Sequence, residues 1–334
     1  MSIGRDLHHI ALFAVAVALL ATVVNSGVVL NLVLMTLYVS LMAQAWNLLG
    51  GYGGQFSFGH ALFFGTGAYT QAIAQLQGHI NPWLALPVAM LAAAMVGLAC
   101  GALSFRYGLK GSYFALVTLA FAEVFRILAL SVPFTGAGVG LMLPLKEGAA
   151  NMQFADRQGF VWLALGLLVL GLVTTVWLRH SRFGAWLQAV RDNEDAARAV
   201  GVNPLRVKLG AIVLSGALMG AAGALYVQVF QYIDPGLAYG PTSSVEALVA
   251  AIVGGLGTLW GPVLGALTLN LLSELTRNLF GSLPGINMVI YGSLLIVIVM
   301  FAPRGVLGLG QSVRRLWSRA ARAASDAAPE AKHG

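Results

Sequence analysis

Residues 159–231 read GFVWLALGLLVLGLVTTVWL (159–178), RHSRFGAWLQAVRDNEDAARAVGVNPLRVK (179–208) and LGAIVLSGALMGAAGALYVQVFQ (209–231). The first and third runs are each about twenty apolar residues long, the length a helix needs to cross the hydrocarbon core of a bilayer. The thirty residues between them hold six of the chain's nineteen basic residues and three of its twelve acidic ones. A chain of 334 residues that is 58% hydrophobic and 9% charged exposes little polar surface. Such a concentration of it is where docking of a soluble partner is expected.

The same alternation of apolar runs with polar or Pro/Gly breaks continues along the chain. It gives about ten candidate crossings, at 10–25, 28–49, 57–78, 82–105, 112–133, 159–178, 209–231, 244–258, 261–279 and 286–302. No stretch between them approaches the ~100 residues of a separate soluble domain. The expected fold class is an all-α polytopic membrane protein of about ten transmembrane or partly re-entrant helices. Arg5, His8 and His9 ahead of the apolar Ile10–Val24 run resemble a secretory signal, but a second long span follows within a few residues, so this segment is read as a retained first crossing.

Charge orients the spans. With the N-terminus inside, fifteen Lys and Arg residues fall on the cytoplasmic side and only Lys146 and Arg157 on the other. That bias predicts both termini in the cytoplasm. The net charge of +7 is thereby explained by membrane topology, and nucleic acid is not an expected partner. The one cysteine, Cys100, lies in an apolar run, which excludes a disulfide and a cysteine metal site. Arg314, Arg315, Arg319 and Arg322, among apolar residues in the tail, read as a basic amphipathic helix on the anionic inner leaflet.

Spans 57–78 and 244–258 are glycine-rich and border the clusters GGYGG (50–54) and GGLG (254–257), which faintly echo each other. Either is a candidate broken or re-entrant segment. Non-helical backbone at membrane depth is tolerated only where it is buried in protein or faces a cavity, so these regions are expected near a pathway. The loop 134–158, with TGAGVG at 135–140, is the longest expected outside and reads as a contact for an external partner or as a solvated loop.

Within the polar island, Asp192 is placed to cap a short helix, Asp195 follows three residues on, and Gly201 suits a left-handed stop before Pro204. Ala196, Ala197 and Ala199 give that helix a small, flat side. Held just beneath two spans, it reads either as a docking helix or as a solvated loop that fixes topology.

The run Asp195-Ala196-Ala197-Arg198-Ala199-Val200-Gly201 resembles the EAA-x-x-x-G loop of ABC-importer permeases, with Asp195 in place of the usual Glu. The longer string QAVRDNEDAARAVGVNPLRVK is similar to the form found in branched-chain amino-acid permeases. WNLLGGYGGQFSFGHALFFGTGAY (46–69), GSYFALVTLAFAEVFR (111–126), TGAGVG (135–140) and GGLGTLWGPVLGA (254–266) resemble the LivM-type permeases of that family in the same order. The resemblance covers most of residues 28–310. It implies an ABC-importer permease architecture with a first helix in an extension at 1–27, a permease domain at 28–310 with its coupling loop at 179–208, and a basic tail at 311–334. It also implies that the loop docks on ATPase subunits, with Arg191, Asp192, Glu194, Asp195, Ala196, Ala197 and Gly201 as the contact residues.

Charged and polar groups inside the spans are the other candidates. Glu123 and Arg126 share a helical face at i, i+3. Charges at this depth are costly towards lipid, so the pair should point into the bundle or a subunit interface, as a polar stop on the pathway or as a neutralising pair that locks packing. Glu274 and Arg277 repeat the spacing near an outer end, where snorkelling suffices. His60 has no second ligand at metal spacing and reads as a packing histidine or as part of the pathway lining. Gln55 and Ser57 are the polar groups of the same glycine-rich segment, which the resemblance makes the first candidate for a gate.

The chain has no G-x-x-x-x-G-K-[ST] phosphate loop, so ATP must be hydrolysed on another subunit. It has no chain of intramembrane carboxylates and histidines of the kind proton-coupled carriers use, no nucleophile–base arrangement, and no expected cofactor or metal. The expectation is a permease subunit of a bacterial inner-membrane importer. By the resemblance, its partners are a second homologous permease, two cytoplasmic ATP-binding subunits and an external amino-acid-binding protein. Branched-chain amino acids are the implied substrates, with urea or short amides as the alternative cargo. A stand-alone carrier or channel, and more remotely a membrane enzyme, are the competing classes.

Overall fold

A computed structural model describes residues 3–24 and 26–280, with scattered positions as far as 300. The expected tenth crossing at 286–302 and the basic tail lie largely or wholly outside the described residues. The helices are α1 (Ile3–Val23), α2 (Gly27–Asn47), α3 (His60–Leu76), α4 (Pro82–Arg106), α5 (Gly111–Ser131) and α6 (Arg157–His180). They continue as α7 (Arg182–Asp192), α8 (Glu194–Ala199), α9 (Pro204–Phe230), α10 (Pro235–Tyr239), α11 (Pro241–Gly254) and α12 (Gly261–Phe280). Among the described residues, seven helical segments are long and apolar enough to cross a membrane. They are α1, α2 with its extension to Tyr52, α4, α5, α6, α9 and the α10–α11 pair. The helix α3, at 17 residues, falls short of that length.

The two glycine-rich runs differ from what was expected: 57–78 is helical only from His60, and 244–258 is continuous helix as far as Gly254, where the GGLG cluster begins. The α2 helix passes into a single π-helical turn at Leu48–Tyr52, and the chain then leaves helical geometry until His60. The run expected at 244–258 begins earlier, at Pro235, and bends at Gly240 between α10 and α11. The α9 helix also starts five residues before the apolar run expected at 209. Asn203 caps it, accepting from the Arg206 amide at 3.2 Å, and Pro204 fills the first turn, where its missing N–H costs nothing.

The centre of the bundle is α9 against α3, α4 and α2. Small residues let these helices approach closely: a Cβ on Gly67 of α3 would lie 2.5 Å from the Gly220 Cα of α9. Ala85, Ala89 and Ala93 of α4 are fully buried at i, i+4 spacing, with Gly216 and Gly220 of α9 against the Ala89–Ala94 segment. Without a hydrophobic drive between helices in lipid, backbone approach of this kind supplies the packing.

One end of the bundle carries α7 and α8. At the other end a two-residue strand β1 (Leu141–Met142), from the long 134–158 loop, pairs antiparallel with β2 (Tyr232–Ile233) just after α9. The α1 helix is clipped to α6 by Asp6, which is buried and lies 3.4 Å from Arg179 and 3.2 Å from His180.

Candidate functional site

The polar island forms two helices, not one. Asp192 does not cap the second: it is the last residue of α7, and the exposed Asn193 takes that role. Asn193 has an extended backbone, and its side-chain oxygen accepts from the amides of Asp195 and Ala196, both at 3.0 Å. The amide side chain therefore satisfies two of the orphan donors of α8. Gly201 has φ +87°, the left-handed conformation expected of it, and its amide donates to Arg198 O at 3.0 Å.

The alanines of α8 do not share one environment. Ala197 is buried at 3% exposure, whereas Asp195, Ala196, Ala199 and Val200 are exposed. The free surface is thus a small-residue face edged by the exposed ion pair of Asp195 and Arg198, 3.1 Å apart. Glu194 points the other way, into a cationic pocket. Its carboxylate lies 2.7 Å from Lys208 Nζ, 3.0 Å from Lys110 Nζ and 3.3 Å from Arg198 Nη2. Lys208 is buried and also sits 5.6 Å from the centre of the Phe105 ring. Burial alone would raise the Glu194 pKa, but the hydrogen bonds from Lys208 and Lys110 outweigh it and hold the carboxyl below its ordinary value. Glu194 thereby ties α8 to α9 and to the turn between α4 and α5.

Arg191 carries the connection into the membrane. Its Nη1 donates to the Gly51 carbonyl at 3.1 Å, inside the π turn that ends α2, while Nε and Nη2 hold Asp192 at 3.1 Å. Gly51 in turn abuts the second glycine cluster: a Cβ there would lie 2.6 Å from the Gly257 amide nitrogen. Asn47 links the same two segments, accepting from the Gly257 amide at 2.8 Å and donating to the Thr258 carbonyl at 3.0 Å. The clusters at 50–54 and 254–257, far apart in sequence, meet beside α7.

The polar residues beyond the π turn form a closed network. Ser215 donates to the Ala45 carbonyl at 2.7 Å, which leaves its oxygen to accept from His60 Nε2 at 2.9 Å. His60 Nδ1 lies 3.1 Å from Ser57 Oγ, which is also 3.2 Å from Thr118 Oγ1. His60 is fully buried, and both ring nitrogens are engaged, so in this conformation it joins α3 to α9. Gln55 donates to the Gly53 carbonyl at 3.2 Å, and its own carbonyl oxygen has no partner among the described residues.

Glu123 and Arg126 do pair, through bonds of 2.6 and 2.8 Å. Glu123 lies on the exposed face of α5, and the half-buried Arg126 lies at the edge between that face and the side that buries Phe114, Ala115, Thr118 and Ala122. In this chain neither side chain is fully buried in the bundle.

Residues 28–299 match the family described as the permease component of branched-chain amino acid transport systems. The chain belongs to that family. This permease is 29% identical to the high-affinity branched-chain amino acid transport system permease protein LivM of Escherichia coli strain K12, over 93% of this chain and 78% of that protein. It is 24% identical to the permease protein LivH of Salmonella typhimurium, over 80% of this chain and 91% of that one. To a probable branched-chain amino acid permease LivH of Methanocaldococcus jannaschii it is 28% identical, over 72% and 79%. No solved structure matches it.

Lys110, Lys208, Asn47, Ser215 and Glu246 were not among the residues singled out from the sequence. The two lysines looked like ordinary cytoplasmic charge, and nothing local distinguishes Asn47 or Ser215. Glu246 did carry a signal, an isolated acid within an apolar run.

Proposed function

We infer that this permease is one of two homologous membrane subunits of an ATP-driven importer in a bacterial cytoplasmic membrane, carrying branched-chain or similar hydrophobic amino acids. One observation carries the reading. The α7–α8 segment, which resembles an ATPase-docking loop, is fastened through Arg191 to Gly51, where α2 breaks and meets the 254–257 cluster. A push on α8 from a closing pair of ATP-binding subunits is then delivered to two broken helices at membrane depth. Asp195, Ala196 and Ala199 meet the ATPase, Glu194, Ala197 and Gly201 hold the shape, and Arg191 with Asp192 transmits the displacement. Gln55, Ser57 and His60 lie just beyond, at the foot of α3. Glu123 and Arg126 face the second permease subunit, whose surface shields them from lipid. An external binding protein delivers substrate at the β1–β2 end, and both termini lie in the cytoplasm.

The test is co-purification of ATP-binding subunits with this chain, paired with leucine uptake into proteoliposomes. Gly201→Pro imposes φ near −65° where the chain needs +87°, and Asp195→Lys reverses the charge on the exposed face. Both are expected to release the ATPase subunits. Full association and uptake in both variants would end the coupling assignment. Leucine uptake by wild type without ATP would make it a self-contained carrier, and uptake of urea in place of leucine would move the cargo to short amides.

A further inference from the structure

A cavity of about 260 Å³ lies between α2, α3, α9, α10, α11 and α12, at the end of the bundle opposite α7 and α8. That volume is at the small end for ligand sites, suited to a metabolite of a few heavy atoms. Its wall carries four aromatic rings, Tyr38, Phe64, Tyr226 and Phe230. Ring centres are 5.6 Å apart for Phe64 and Tyr226, 6.1 Å for Tyr38 and Tyr226, and 4.5 Å for Tyr226 and Phe230. The same wall carries Glu246, which has no ion pair or hydrogen bond among the described residues. A carboxylate in a membrane helix is costly to leave unmatched, and aromatic faces beside it favour a cation.

The opposite charge has a receptor one turn earlier. The α11 helix starts at Pro241 with no side-chain cap, and the amides of Thr242 and Ser243 donate to no carbonyl among the described residues. They carry the positive end of a 14-residue helix. Ser243 lines the cavity, is 8% exposed and has no hydrogen-bond partner among the described residues; the same holds for Tyr38 at 9%. Ser243 and Glu246 are three apart and so share one face of α11, with Cβ atoms about 5–6 Å apart. A donor end and an acceptor end therefore fall within reach of one small molecule.

We propose that this cavity binds a small zwitterion with an apolar side chain, its ammonium on Glu246 within the aromatic wall and its carboxylate on Ser243 and the first-turn amides of α11. Met35 and Leu237 supply apolar surface for the side chain. The site is a station on the outer half of the route. It rests on the reading of this chain as an amino-acid permease subunit.

The test is uptake of labelled leucine by the intact importer in proteoliposomes, with 4-methyl-2-oxopentanoate, which lacks the ammonium, as competitor. Glu246→Gln removes a charge-assisted contact and is expected to raise half-saturation on the order of tenfold and to erase the preference for leucine over the keto acid. Ser243→Ala, which removes only a hydroxyl, is expected to raise half-saturation by about threefold and covers the case in which Glu246→Gln does not assemble. Wild-type half-saturation and selectivity in both variants, with wild type carrying leucine, would overturn the site alone. Failure of the wild-type importer to carry leucine would overturn the amino-acid reading and the site with it.

Discussion

Glu194 shows how one side chain can decide which face of a short helix is left free. It is the acid of α8 that faces inward, and it neutralises two lysines from separate elements, one of them buried. Replacing it with Gln leaves Lys208 without its counter-charge, a loss of about 2 kcal/mol. Amide exchange across residues 194–200 should then accelerate about thirtyfold if that segment opens locally. Because the folded pKa is depressed, the contribution is fully present above the ordinary glutamate value of about 4.3 and disappears as pH falls through the lower folded value. The segment should keep its protection from neutral pH to about 5 and lose it progressively as pH falls through the lower folded value. Wild-type exchange across the segment in Glu194→Gln at neutral pH would show that the lysine contacts do not hold α8. Arg191 makes a different contribution, a directional bond to a backbone carbonyl. Arg191→Lys keeps the charge but not the planar fork, and it should leave ATPase association intact while uncoupling ATP hydrolysis from uptake.

Elements matter here through what they leave uncovered. Most of the α5 surface is exposed in the isolated chain, and the exposed face combines Leu116, Ile127 and Leu128 with the Glu123–Arg126 pair. The α1 helix exposes an even larger share, but its outward residues, such as Leu12 and Leu19, are apolar and suited to lipid. The ion pair separates the two faces chemically, because lipid solvates neither charge. In the assembled importer, a cysteine at Ile127 should form an oxidative crosslink to a suitably placed cysteine on the second permease subunit, whereas one at Leu12 should not. Crosslinking at Leu12 with none at Ile127 would exchange the roles of the two helices.

At the scale of the whole molecule, the direction of transport depends on which end faces the cytoplasm. Val200 and Val139 mark the two ends and are both well exposed, and the chain's one cysteine, Cys100, is buried in α4. Background labelling should therefore be low. An impermeant maleimide should label Val139→Cys in spheroplasts and Val200→Cys in inverted vesicles. The reverse pattern would invert the topology and remove the site at which an internal motor is proposed to grip.

The sequence by itself determined the membrane class, the positions of most helices and the place of the polar α7–α8 segment. Each of these is written in local quantities: an apolar run as long as a bilayer is thick, a glycine free to take positive φ, a charge excluded from lipid. It misplaced the cap of α8 by one residue because Asp192 and Asn193 are both good caps, and the choice falls to whichever residue the preceding helix leaves extended. Only the tertiary structure decided that Arg191 reaches Gly51, that the two glycine clusters touch through Asn47, that Glu123 lies on the exposed face of α5 with Arg126 at its edge, and that Glu246 shares a cavity with rings from three other helices. Those are meetings between residues tens to hundreds of positions apart. Helix packing sets them, through the close backbone contacts of α3, α4 and α9, and no local pattern encodes which faces will meet.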